Sequence, residues 1–462
     1  MVAPMRERQA RFGPAQSKDL GRGSLANAVR SIRNLRSHPF MRGLAVVVGG
    51  TAAAQAITFA FSPVITRLYG PEVFGVQGIF LSIVGIVTPF ASLGYGGSIV
   101  LPASDGEARA LFRLSMIISA AMSALSAIVV GIFHAEIADA IGFTAASSLL
   151  FLLPIVVLMT AIAQPFHHWL ARKKQFASLS RISIAEAVLV GTGKSAAGVV
   201  AATAPVLLAS VAISGGLKVW LMWRSARSTL LSSEACDRAE PAAEAEASLR
   251  SAAYRFRDFP LFRAPLDWLN AASYGIPSLM LASLLGPAAA GFYVLAFRVV
   301  SLPITIIAAA VGTVFLPRIA EASHRSEPLR PLLLKGTAAL AAFGIVPFGI
   351  MMVFGPWIFS FVFGADWAPA GEYARWLALW FYFIFIGAPS TQAFPILGLQ
   401  GHFLAYEVVV TILRTASLAV GVLLLRDEMA AIALFAIVGV LVNVAQILWC
   451  ILSCDRRLRS TA

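Results

Sequence analysis

A chain of 462 residues that is 58% hydrophobic and only 13% charged, with mean hydropathy +0.80, carries more apolar sequence than one soluble core can bury. Its repeated apolar runs of about 20 residues read as transmembrane helices, and no alternating strand pattern of a membrane barrel is visible. A net charge of +13 would point to nucleic acid in a soluble protein, but in a membrane protein the placement of Lys and Arg sets orientation, so no nucleic-acid partner is expected.

Residues 1–42 hold nine Lys or Arg and no apolar run. They read as a basic cytoplasmic tail, not a cleavable signal peptide. Twelve spans follow, near 44–65, 74–93, 111–133, 147–166, 182–200, 206–222, 265–285, 292–315, 332–353, 374–397, 406–425 and 430–452. With the N-terminus inside, the inner segments collect 29 of the 36 Lys and Arg, and the outer loops hold only Arg67, Arg375 and Arg426. This asymmetry places both termini in the cytoplasm. The expected fold class is all-α: a polytopic membrane protein with about 12 transmembrane helices in two six-helix bundles around a central cavity. The expected divisions are a basic tail (1–42), an N-terminal bundle (43–224), a cytoplasmic linker (225–262), a C-terminal bundle (263–453) and a cytoplasmic tail (454–462). The acidic, alanine-rich linker suits a flexible or partly helical connector.

The halves share a repeat. GPEVFG (70–75) opens the second span and GPAAAG (286–291) opens the eighth, 216 residues later. A Leu-Pro follows each span, at Leu101-Pro102 and Leu316-Pro317. Two six-helix units in the same orientation, related by an axis along the membrane normal, account for both matches.

Enzyme signatures are missing: there is no Walker A loop, no HExxH and no Gly-x-Ser-x-Gly. No catalytic residue, cofactor or metal site is expected. Cys236, Cys450 and Cys454 offer neither a disulfide framework nor a metal spacing. His167-His168, beside Trp169, reads as an interfacial anchor. The outer loops are too short for a catalytic domain, so a transporter is expected over an enzyme.

Ionisable groups at membrane depth face a bundle interior or a wet cavity. Lys194, Lys218, Arg298 and Arg414 are such cations, with Lys218 near enough to the inner end to snorkel. Acids are scarcer: Asp267 and Glu186 lie near inner span ends, and Glu407 begins the eleventh span. Each cation can line a cavity for an anionic substrate or pair with an acid on a neighbouring helix, and spacing leaves both open. Asp267 and Glu407 are the candidate charge partners. Gln55, Asn270, Tyr274, Thr391-Gln392, Asn443 and Gln446 are polar within spans, suited to sugar hydroxyls or to helix–helix hydrogen bonds. Pro89, Pro303 and Pro395 permit bending.

The stretch ITRLYGPEVFGVQGIFLSIVGIVTPFASLGYGGSIVLPASDGEA (65–108) resembles the first signature of Wzx-like oligosaccharide flippases. WLARKKQFASLSRIS (169–183) resembles their segment after the fourth span. The stretch 253–307, containing AFRVVSLP, resembles the opening of their second half. This family belongs to the larger group of polysaccharide exporters, multidrug exporters and the lipid II flippase. The resemblance implies two six-helix bundles working by alternating access. It also implies transport of an oligosaccharide on undecaprenyl diphosphate from the cytoplasmic to the periplasmic leaflet, for O-antigen, capsule or exopolysaccharide assembly. Cationic cavity residues would hold the diphosphate, a role that passes to Arg298. Lys194 and Arg414 join it on depth and charge alone. The lipid II flippase carries further C-terminal helices, so twelve spans argue against it.

The sequence reading is thus a flippase of the bacterial inner membrane. The expected partners are a lipid-linked oligosaccharide, membrane lipids and the polysaccharide polymerase machinery. The other readings are a cation-coupled multidrug exporter of the same fold, which would favour an acidic cavity, and a membrane-bound glycan polymerase or acyltransferase.

Overall fold

A computed structural model describes residues 39–237, 242–325, 327–397 and 399–460. Most of the basic tail, linker residues 238–241 and the side chain of Cys236 lie outside the described residues. The described chain is helical: α1 (Pro39–Ser92), α2 (Tyr95–Ser98), α3 (Asp105–Ala140), α4 (Leu153–Arg172), α5 (Phe176–Val200), α6 (Ala204–Asp237), α7 (Ala242–Arg255), α8 (Ala264–Leu285), α9 (Pro287–His324), α10 (Leu329–Phe363), α11 (Ala368–Leu397), α12 (Gln400–Val420) and α13 (Glu428–Ser460). Among the described residues, ten helices are long and apolar enough to cross a membrane.

Two features reconcile those ten with twelve passes. The first is α1, with 54 residues. Drawn straight it would run about 80 Å at 1.5 Å per residue, far beyond a hydrocarbon layer of about 30 Å. Gly70 breaks it with φ 67° and ψ 170°. Ser62 and Ile65 before the break line the same cavity as Phe74 and Gln77 after it, so the two arms lie side by side. We call them α1a (39–69) and α1b (71–92). The second is α8, which spans 22 residues but carries Asp267, Asn270, Ser273 and Tyr274. Those polar groups lower its hydropathy. It packs against α1b instead of lipid, with Phe90 and Trp268 rings 5.6 Å apart and Gly275 against Ile86.

The repeat seen in the sequence has a conformational basis. Gly286, the partner of Gly70 at an offset of 216, turns α8 into α9 with φ 95° and ψ 170°. Positive φ at both turns is cheap for glycine and costs other residues roughly 1–2 kcal/mol. The last glycines of the two motifs then meet. A Cβ on Gly75 would sit 1.8 Å from the Pro287 carbonyl oxygen, and one on Gly291 would sit 2.3 Å from that of Pro71. Each repeat thus presses its bare glycine onto the turn of the other.

Further contacts close the same end of the molecule. Arg67 donates to the Phe361 carbonyl at 2.8 Å, and Trp367 Nε1 donates to the Thr66 carbonyl at 3.1 Å. Phe74 meets Trp367 edge-on at 5.4 Å. Trp367 follows Gly364, a third turn glycine at φ 118°.

At the opposite, basic end α6 continues unbroken to Asp237, past the boundary expected at 224. Hydropathy marks only the apolar part of a helix, so most helices overrun their spans. The linker also contains α7. Its Ala252 is buried among Leu111, Phe166, Trp169 and Met222, Arg255 pairs with Glu107 at 2.7 Å, and the Tyr95 hydroxyl donates to the Ala253 carbonyl at 3.1 Å. The end of this connector is therefore docked on the N-terminal half. Cys450 and Cys454 are buried in a small cluster with Phe394 and Leu333.

Two outcomes follow from the glycines. Gly291→Val lowers the melting temperature of the detergent-purified protein by several degrees, as overpacking of about 1–3 kcal/mol requires, whereas Gly85→Ala, inside the same kind of helix with open space around its added methyl, does not lower it. Gly70→Ala also destabilises, although nothing lies within 4 Å of its new Cβ, because the cost there is conformational.

Candidate functional site

Three cavities lie in a row through the bundle. The first, of about 430 Å³, sits in the N-terminal half between α1, α5 and α6. The second, of about 350 Å³, lies where α1b meets α8 and α9. The third, of about 270 Å³, sits in the C-terminal half between α8, α11, α12 and α13. Arg298 lines the first and second, and Tyr274 lines the second and third.

The first cavity owes its shape to a tight α1–α5 packing. Gly191 receives the ring of Phe61 and Gly198 that of Tyr69, positions where a Cβ would come within 2.3 and 2.8 Å. Lys194 lies between those glycines, and its carbonyl accepts from the Tyr69 hydroxyl at 3.0 Å. Its ammonium reaches the cavity, as does Gln55 from α1a. Arg298 arrives from the other half of the chain. It stands eleven residues after Pro287, about 16 Å along α9 at 1.5 Å per residue. Counted from the apolar span at 292 it would be only about 10 Å deep, so the helix start places it nearer mid-membrane. Its side chain is exposed to the cavities. Neither Lys194 nor Arg298 has an ion pair or side-chain hydrogen bond to any described residue.

Lys218 differs from its expected snorkelling role. It lines the first cavity and pairs with Glu186 at 3.1 Å. Spacing could not show this pairing, because the residues sit on separate helices, α5 and α6. Gln77 was also missed. It lies in α1b, is buried on the cavity wall, and its Nε2 has no partner among the described residues. Its one sequence signal is an amide inside an apolar span.

Arg414 sits apart from the other two cations. It lines the third cavity, donates to Ser273 Oγ at 2.5 Å, and lies over the Trp380 ring at 5.0 Å. Glu407 shares that cavity without an ion pair within 4.0 Å among the described residues. Asp267 pairs with Arg263 at 3.0 Å, one turn away on the exposed start of α8, and with neither Arg298 nor Arg414. Asn270, Asn443 and Gln446 also line the third cavity. Gln446 donates to Thr391 at 2.9 Å and Asn443 to the Gly439 carbonyl at 2.7 Å, so part of their capacity joins or stabilises helices. Gln392 lines none of the three cavities.

The arrangement holds unpaired cations in one chamber and mixed polar groups in another, joined across the interface between the halves. It can bind an anion with a polar extension.

Comparison with known proteins gives this geometry a context. The family model described as polysaccharide biosynthesis protein matches residues 64–372, more than half of the chain. No curated protein sequence matches. Among solved structures, an inward-facing multidrug resistance MATE family transporter of the MOP superfamily superposes with TM-score 0.65 at 14% identity, covering 88% of this chain and 96% of the other. The lipid II flippase MurJ in an inward closed conformation gives TM-score 0.65 at 12% identity, covering 87% and 86%. A MOP superfamily transporter from Pyrococcus furiosus gives 0.59 at 13% identity, covering 92% and 97%. At these identities the likeness is one of fold. The chain belongs to the polysaccharide biosynthesis protein family and is a multi-pass helical membrane protein with the fold of MOP superfamily transporters.

Proposed function

We propose that this protein flips an undecaprenyl-diphosphate-linked oligosaccharide from the cytoplasmic to the periplasmic leaflet of a bacterial inner membrane, for O-antigen, capsule or exopolysaccharide assembly. One observation carries the reading: Lys194 and Arg298 come from opposite halves of the chain into one cavity, and neither has an acid partner among the described residues. A diphosphate headgroup is the anion that such a pair suits. The guanidinium fork can engage two phosphate oxygens, and the ammonium adds a point charge. Without them, carrying the headgroup through the bilayer would cost many kcal/mol of desolvation. The prenyl tail stays in lipid while the head crosses.

The proposed mechanism is alternating access. A bundle of residues 43–224 and one of residues 263–453 rock about the crossing of α1b and α9, with 225–262 as the cytoplasmic connection. The basic loops and both termini face the cytoplasm, which leaves the glycine-turn end periplasmic. The polymerase machinery would take the product on that side.

A multidrug exporter of cationic compounds is disfavoured by the same cavity. Its one acid, Glu186, is already held by Lys218. The solved Pyrococcus furiosus transporter is described as having a binding pocket of reverse polarity that suggests a different function, so pocket charge is a reasonable guide to cargo within this fold.

The test is complementation of cells that lack their glycan flippase. Arg298→Ala and Lys194→Ala, at unchanged protein level, each lower surface glycan about tenfold or more, as loss of a charge-assisted hydrogen bond of about 1.5–3 kcal/mol requires, and lipid-linked intermediate accumulates. Arg298→Lys keeps the charge, loses the fork and falls between. Normal surface glycan in both alanine variants overturns the assignment.

A further inference from the structure

The third cavity contains more polar capacity than its own helices use. The Glu407 carboxylate accepts no side-chain hydrogen bond and makes no ion pair within 4.0 Å among the described residues. The side chains of Asn270 and Tyr274 likewise have no hydrogen-bond partner there, and both are exposed to the cavity. Asn443 uses its amide N–H but not its oxygen. Arg414 is 5% exposed, and its Nε is buried without a partner. Arg414 Nε is the buried atom among these that lacks a partner; the other groups face the cavity with free hydrogen-bonding capacity, and their convergence on one space points to a polar ligand.

The chemistry narrows that ligand. A carboxylate and two amides take and give hydrogen bonds to hydroxyls in several directions. Tyr274 adds an aromatic face at the entrance from the second cavity, held edge-on by Phe297 at 5.5 Å. Hydroxyl-rich rings with apolar faces fit this set. A second phosphate fits less well, because the one acid, Glu407, offsets the one cation, Arg414, and leaves the lining without net positive charge. Arg414 is a positioning residue. Its bond to Ser273 and its stacking on Trp380 tie α12 to α8 and α11, which holds the wall that carries Glu407.

We infer that the third cavity is a sugar subsite. It holds the one or two rings next to the diphosphate, reads them through Asn270, Glu407 and Asn443, and is separate from the phosphate-binding pair. At about 270 Å³ it lies near the lower end of ligand-pocket volumes, roughly 300–1,000 Å³, which suits a short saccharide and not a long glycan. Tyr274 stands between the two subsites. The inference rests on the flippase reading, because the diphosphate at Lys194 and Arg298 is what brings the sugar to this cavity.

Binding to purified full-length protein in detergent separates the two claims. The probes are bare undecaprenyl diphosphate and the lipid-linked oligosaccharide extracted from cells in which this gene is deleted. Wild-type protein binds the glycan-bearing lipid about tenfold or more tighter than the bare one. Glu407→Gln and Asn443→Ala remove that difference and leave affinity for the bare lipid unchanged. Arg298→Ala weakens both lipids about equally. Equal wild-type affinity for the two lipids, or Glu407→Gln and Asn443→Ala weakening both alike, overturns the sugar subsite and leaves the phosphate site standing. No effect of Arg298→Ala on either lipid overturns the flippase reading instead. The melting temperature of each variant is measured alongside, and Asn443→Leu, which keeps the volume and removes the acceptor, replaces Asn443→Ala if the latter fails to fold. Full discrimination between the lipids in Asn443→Leu and Glu407→Gln also rejects the subsite.

Discussion

The structure depends on the contact between Gly75 and Gly291. Each glycine lies against the backbone of the opposite repeat's turn, at distances that no side chain would permit. Dispersion forces fall steeply with separation, so backbones this close gain contact that bulkier residues would forfeit. The crossing also sets the register of everything below it. Arg298 follows Gly291 by seven residues, two helical turns, and so lies on the same face of α9. The face that touches α1b is therefore the face that delivers a cation into the N-terminal half. By the same count Ser82 follows Gly75, and Ser82 and Arg298 line one cavity. The two turns match, but the side chains two helical turns after each glycine do not.

That asymmetry has an electrostatic consequence. A symmetric pair of arginines at 82 and 298 would repel across the second cavity. One arginine instead meets Lys194 of the other half in the first cavity, which gathers positive charge there. Lys218 and Glu186 cancel locally at 3.1 Å. Arg414 is held by a neutral hydroxyl and an indole, so it is anchored without an acid. A cation without an acid at membrane depth needs such neutral partners or a wet cavity, since exposure to lipid would cost several kcal/mol. Arg298 has no such neutral partner among the described residues and lines two cavities.

Much of this could be read from the chain. Apolar runs located the passes because backbone hydrogen bonding in lipid leaves helices as the available choice. The Gly-Pro motifs marked the repeat because only glycine takes the turn at positions 70 and 286. The four cations stood out because charge is rare in apolar spans. What could not be read was contact between distant elements. Spacing along one helix does not reveal that Lys218 meets Glu186, that Asp267 turns to Arg263, or that Arg298 reaches a cavity walled by α1 and α5. The apolar run at 265–285 did mark α8 as a pass, but did not show that its polar residues line two cavities. Gln392 and Asn443 looked alike in sequence, and only the packing of α11 and α13 separates the residue on the cavity from the one off it.

The closed end also bears on how such a molecule could switch. Among the described residues, the halves meet at the glycine turns through bare backbone, through three hydrogen bonds to carbonyls from Thr66, Arg67 and Trp367, and through aromatic edges. No ion pair crosses between the halves there among those residues. Long-range charge attraction would persist as the ends parted and would resist opening over many ångströms. Close packing behaves differently. It is strong when seated and is lost within about an ångström, so the interface is either made or broken. For the proposed flippase this is a suitable gate. A small rotation of one bundle would release the crossing of α1b and α9, and because Arg298 lies two turns below that crossing, the same rotation would pull the arginine away from Lys194. Opening the gate and loosening the grip on the diphosphate would then be one movement.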